Sequence, residues 1–126
     1  MIRKYSKKGL EKRKEERACL PEFFQRHIEI AKTKHCSECG CKLLGDVSEV
    51  AHRLPKSTFK SIQCLDDNVV YLCSWRSSNN CHGLYDGSNE QLQSLSIFSA
   101  EQKIVKELLE KVTETTGYKI YDKWQL

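Results

Sequence analysis

No stretch of the 126 residues approaches the roughly 20 consecutive apolar positions that a bilayer-crossing helix needs, and Lys, Arg, Asp and Glu make up 30% of the chain. A membrane span is not expected. The N-terminus, MIRKYSKKGLEKRKEER, also lacks the apolar core and cleavage site of a secretory signal, so the expected location is the cytoplasm. There is no internal repeat and no low-complexity tract beyond the basic N-terminus, which speaks against solenoids and arrays. Cysteine is not scarce, but the seven present are odd in number, and a reducing compartment disfavours disulfides. Metal ligation is the remaining use for most of those thiols. A chain of this length is expected to form one domain, small enough for a metal staple to matter.

The formal charge of +4 is unevenly spread. Within the first 17 residues Arg3, Lys4, Lys7, Lys8, Lys12, Arg13, Lys14 and Arg17 face only Glu11, Glu15 and Glu16. Such a run is either a solvated face or a phosphate-neutralising arm. With few apolar residues, it is expected to be disordered or an exposed helix.

Pro21 opens a better segment, PEFFQRHIEIAKTKH, with Phe23, Phe24, His27, Ile28 and Ala31 near helical spacing. VSEVAHRL reads as a strand that Pro55 ends or places on a sheet edge, STFKSIQCLDD as a loop, and NVVYLC as a second short strand. CHGLYDG offers one or two helical turns closed by Gly87. In FSAEQKIVKELLEKVTETTG, Ser99 and Gln102 have capping-box spacing, Ile104, Val105, Leu108, Leu109 and Val112 form an apolar stripe, and Gly117 is the expected stop. The closing YKIYDKW interleaves aromatic and charged residues and is expected to be extended.

Cys36 and Cys39, at C-x2-C spacing, put two thiolates on one tight turn, which suits a tetrahedral zinc with sulfur ligands. The matching pair is expected in Cys73, at the end of the second strand, and Cys81, at the start of the short helix, with SWRSSNN bulging between them. Cys41 either replaces Cys39 or simply sits in the knuckle. Cys19 and Cys64 are read as small buried hydrophobes. His27 and His35 have no partner at a readable spacing and are read as structural; Asp66 and Asp67 read as a turn.

In order along the chain, residues 36–86 give Cys-x2-Cys, His52, Asn68, Cys73 and Cys81-His82. This set resembles the HNH family of endonucleases: AHRLPKS is similar to the family's His-x-x-Pro-x-Ser, and DNVVYLC to its Asn-Leu-Val-x-Leu-Cys. The resemblance implies an α+β fold, a zinc-stabilised, treble-clef-like ββα-metal core over 36–87. A basic arm (1–20) and a helix (21–35) would precede it, and an amphipathic helix (98–116) would follow, all in one domain. It also implies hydrolysis of phosphodiester bonds in DNA. On that reading His52 is the general base. His82 and Asp86 hold a catalytic Mg²⁺ or Mn²⁺, Asn68 either joins them as a ligand or orients the elements around His52, and the cysteines hold a structural Zn²⁺. Arg53, Lys56 and Lys60, with Lys12 and Arg13 of the arm, are the expected phosphate contacts. Small phage-encoded members of the family often look like this, which would put the chain in the host cell's cytoplasm, as a homodimer or with a phage DNA-processing partner. The pattern departs from the family's at Ala51, where an Asp or His usually ligates the metal. Glu49, two residues back on the same strand face, is the candidate substitute. The competing reading is a non-catalytic zinc-finger module that binds DNA.

Overall fold

The computed structural model describes Glu15, residues 17–115 and residues 118–126. Most of the basic arm, including Lys12 and Arg13, lies outside the described residues, as does Gly117. The described part is a small mixed α/β fold with a two-stranded sheet and five α-helices. No described helix is long and apolar enough to cross a membrane.

The first helix, α1, spans Leu20–Ala31 with Pro21 in its first turn, where a missing N–H removes no intrahelical bond. Leu20, Phe23, His27 and Ala31 are its buried stripe. It stops four residues short of His35, which instead bridges to Lys42 and opens the cysteine turn. Strands β1 (Val50–His52) and β2 (Val69–Tyr71) pair antiparallel, with Val50 opposite Tyr71, Ala51 opposite Val70 and His52 opposite Val69. Because side chains alternate across a strand, Val50, Val69 and His52 turn toward the rings of α1, whereas Ala51 and Val70 enter the main core. The ring of His52 lies 5.4 Å from that of Phe23 and 5.7 Å from that of Phe24.

The expected first strand is shortened, since Val47–Glu49 forms a 3-10 turn. The buried Glu49 carboxylate causes this by folding back to accept from the backbone N–H groups of Leu44, Gly45 and Asp46 at 2.9, 2.7 and 2.9 Å. Gly45 sits at φ +83°, and a Cβ there would stand 2.3 Å from Lys32 Cγ, so both its conformation and its space require glycine.

Helices α2 (Cys81–Tyr85) and α3 (Asn89–Gln93) follow, the latter opened by a Ser88/Gln91 capping box that sequence reading passed over. Helix α4 spans Phe98–Leu109 and buries Glu101, Val105 and Leu108. Its expected Ser99 box does not form. Instead Glu38, from the cysteine turn, accepts from Ser96 N and Oγ, each at 2.7 Å, and from Ile97 N at 3.1 Å. A carboxylate at a helix N-terminus satisfies open N–H groups and favours the dipole, so this long-range cap replaces the local one. The closing segment is a helix, α5 (Tyr118–Trp124), and not extended. Trp124 is 1% exposed, stacked on Phe98 at 5.7 Å and edge-on to Tyr85 at 5.7 Å. Burying that indole decides the conformation of a stretch whose local pattern was ambiguous.

Candidate functional site

The thiols of Cys36, Cys39, Cys73 and Cys81 all lie within 4.8 Å of one another, and the sulfurs of Cys39 and Cys73 are 3.7 Å apart. A tetrahedron with Zn–S arms of about 2.3 Å has edges of about 3.8 Å. The spacing therefore suits such an ion. Three elements converge to build it. Residues 36–40 form a tight turn in which Gly40 N donates to Cys36 O at 2.9 Å, Gly40 itself being at φ +79°. Cys73 follows β2, and Cys81 is the first residue of α2.

Cys39 N and Cys81 N point at Cys36 Sγ and Cys73 Sγ, at 3.5 and 3.3 Å. Cys36, Cys73 and Cys81 are buried; Cys39 is at the rim. Burial pushes Cys39 up, but hydrogen bonds to Asn79, Cys41 and Cys36 overcome it and hold it at about 6. Burial raises Cys81, reinforced by the neighbouring sulfurs. Four thiols this close cannot all be charged without a cation among them. Cys41 lies outside the set, pushed up to about 12 by burial and then by Cys39 and Cys73. The choice between Cys39 and Cys41 falls to Cys39, whose sulfur lies within 4.8 Å of the other three.

Cys19 and Cys64 are not isolated hydrophobes; they form a disulfide, with Cα atoms 6.3 Å apart, tying the start of α1 to the segment before β2. The odd cysteine total concealed this pair. Subtracting the four converging thiols and the neighbouring Cys41 would have left two.

Beside this centre lies a cleft of about 470 Å³ whose lining includes Phe24, Ser48, His52, Lys56, His82 and Asp86. His52 Nε2 donates to Gln63 O at 2.8 Å. A carbonyl only accepts, so in the neutral ring the lone pair must sit on Nδ1. Burial, helped by Lys56 and His27 and opposed by Gln63 and Asp86, lowers the His52 pKa and keeps the ring neutral at neutral pH. His82 Nδ1 donates to Ser48 O at 2.5 Å, which turns Nε2 toward Asp86 Oδ2 at 2.9 Å. The carbonyl thus orients the imidazole through one nitrogen while the other pairs with the carboxylate. The Asp86 bond, outweighing burial, raises the His82 pKa.

Asn68 is drawn elsewhere. It is wholly buried, with Oδ1 accepting from Leu54 N at 2.7 Å and Nδ2 donating to Leu54 O at 3.1 Å and Ile62 O at 3.5 Å. Both ends of the amide are committed to backbone, so it clamps the 54–62 loop and does not ligate an ion. Glu49 is likewise spent on the 44–46 backbone, and Ala51 is sealed in the core, so neither contributes to the cleft. Arg53 also lines the cleft, but it is already paired. Its guanidinium is bidentate to the buried Glu101 at 2.9 and 3.0 Å and donates to Asp67 O at 2.8 Å. Tyr85 joins the same carboxylate at 3.1 Å, and burial ahead of that nearby charge raises its pKa. Lys56 lines the cleft; Lys60 is exposed and lies outside its lining.

Comparison with protein-family models, curated proteins and solved structures finds no match to this chain.

Proposed function

We propose that this protein is an HNH-type endonuclease that hydrolyses phosphodiester bonds in DNA with the help of a divalent metal. The observation that supports this reading is the His52 ring, bonded to Gln63 through Nε2 and lining the same cleft as the paired His82 and Asp86. Cleavage of a phosphodiester needs a base for the attacking water and a cation for the charge that develops on the phosphate and leaving oxygen. His52 Nδ1 accepts the proton from water. Asn68 holds the loop that precedes Gln63, keeping the Nε2 partner in place.

His82 Nε2 and Asp86 Oδ2 would hold the ion. The two atoms lie 2.9 Å apart. A hard ion such as Mg²⁺ or Mn²⁺ suits a carboxylate-containing pair, and when bound it supplies Lewis-acid stabilisation of the phosphate. Lys56 adds positive charge to the cleft wall. The cysteine tetrad, with zinc, fixes the start of α2 and thereby the position of His82.

Supercoiled plasmid with Mg²⁺ or Mn²⁺ tests this. The parent is expected to nick or linearise it and His52→Ala to leave it intact. Failure of the parent on duplex, branched and single-stranded DNA with Mg²⁺, Mn²⁺ or Ni²⁺ overturns it. A second reading, a zinc-stabilised DNA-binding module, is favoured by Ala51, which leaves the cleft one metal donor short of the family pattern. It expects salt-dependent DNA binding without cleavage.

A further inference from the structure

One wall of the cleft that holds His52, His82 and Asp86 comes from α5, through Ile120, Lys123 and Trp124. That helix is pinned in place: Trp124 is sealed in the core, and Asn89 Nδ2 donates to Asp122 Oδ2 at 3.2 Å. A lysine in the last turn of a helix ordinarily serves the open carbonyls and the negative end of the dipole. Here those carbonyls are already taken. Tyr121 O accepts from Leu126 N at 2.9 Å, Asp122 O from Gln125 N at 3.2 Å, Lys123 O from Gln93 Nε2 at 3.2 Å and Trp124 O from Gln102 Nε2 at 2.8 Å. Capping therefore leaves the Lys123 ammonium unclaimed. Among the described residues it has no ion-pair partner, and neither has Lys56 on the loop after β1, whereas Lys32 pairs with Glu29 and Lys111 with Asp67. The other charged groups of the lining are paired, Arg53 with Glu101 and Asp86 with His82. The unpaired charge in the cleft is thus wholly positive, and it comes from two separate elements.

We infer that Lys123, with Lys56, holds phosphates of the DNA strand beside the one to be cut, so that α5 is part of the nucleic-acid face as well as a packing helix. The inference rests on the nuclease reading for the choice of a phosphodiester over another anion; the cationic cleft stands without it. Two unpaired ammonium groups on separate elements of one cleft suit a ligand that carries charge at regular intervals, which a phosphodiester backbone supplies. Lysine meets phosphate as a compact point charge on a flexible stem and needs no bidentate geometry. An acidic peptide would offer the charge alone, whereas a DNA strand also presents the bond on which His52, His82 and Asp86 would act.

The test measures binding of a labelled DNA oligonucleotide by fluorescence anisotropy over a series of salt concentrations, without added Mg²⁺ or Mn²⁺. Lys123→Met keeps the apolar stem and removes the charge, Lys123→Arg keeps the charge, and Lys119→Met neutralises an exposed lysine of the same helix outside the cleft lining. Zinc content and circular dichroism confirm that each variant is folded. Loss of one phosphate contact should weaken binding about 5- to 10-fold at about 0.1 M salt in Lys123→Met and lower the salt slope by about 1. Lys56→Met should behave alike, whereas Lys123→Arg and Lys119→Met stay within about twofold of the parent. Parental affinity and slope in Lys123→Met overturn the inference, and so does an equal loss in Lys119→Met. Displacement of the oligonucleotide by polyglutamate as readily as by unlabelled DNA also overturns it, since the cleft would then take any polyanion. A parent that binds no DNA overturns it together with the nuclease reading. Lys123-dependent binding by a parent that cleaves nothing sustains the phosphate contact and rejects the nuclease. A Lys123→Met chain that binds as the parent does, while both cleave, overturns the inference and leaves the nuclease reading standing.

Discussion

Replacing Cys73 by Ser removes one of four converging thiols at a position that is 1% exposed. The site joins three separate pieces of chain, the 36–40 turn, the end of β2 and the start of α2, which otherwise share little local structure. Structural zinc contributes on the order of 10–16 kcal/mol in small metal-bound modules, against a whole-domain stability of about 5–15 kcal/mol. Losing the ion is therefore comparable with losing the fold. The three sulfurs left within 4.8 Å of one another, two of them buried, would have to stay protonated or repel. We expect Cys73→Ser to fall from one bound zinc per chain to a small fraction, measured by elemental analysis of the purified protein, and to lose its cooperative thermal transition by circular dichroism. Cys41→Ser, which alters a thiol beside the set but outside it, should keep both. A Cys73→Ser chain that melts with the parent, or a Cys41→Ser chain that loses metal equally, would refute this account of the centre.

Three further outcomes follow from the same geometry. Asn68→Ala leaves buried Leu54 N–H and C=O groups without partners and should cost about 2–4 kcal/mol in urea unfolding; a cost below about 1 kcal/mol would mean that water or a backbone shift replaces the clamp. Arg53→Ala strands the buried Glu101 carboxylate and should destabilise by about 3–5 kcal/mol, while leaving the salt dependence of DNA binding unchanged, because that guanidinium is already neutralised; a shallower salt slope would restore it as a phosphate contact. His52 has a folded-state pKa below its unfolded value of about 6.5, so its neutral form favours the native state. Its contribution is complete above about pH 6.5 and is lost as pH falls through the lowered folded value. With Lys56, His27 and Asp86 left in place around it, His52→Gln should flatten the acid side of the stability profile measured by urea unfolding. An unchanged profile would show that the ring is solvated.

Much of the local structure was legible from the chain. The spacing of Phe23, His27 and Ala31 placed α1, the β-branched runs placed both strands, and the C-x2-C turn with Cys73 and Cys81 anticipated the tetrad. These signals survive because each depends on neighbours within a turn or on a short chemical motif. The misreadings share the opposite property. Ser99 has the right spacing for a capping box, yet Glu38, 58 residues from Ser96, reaches the helix first. Arg53 reads as a free cation until Glu101, 48 residues away, claims it. Cys19 and Cys64 are 45 residues apart, and no local pattern pairs them.

The sequence by itself determined the periodicities, the metal-binding residue types and their order, because those follow from side-chain chemistry and backbone geometry over a few residues. Only the tertiary structure decided which polar groups stay available. Asn68, Glu49 and Arg53 are spent on buried backbone and carboxylate partners, whereas His52, His82 and Asp86 remain in one cleft. The physical reason is that a buried donor or acceptor must be satisfied by whatever the fold brings near it, and that partner is rarely close in the chain.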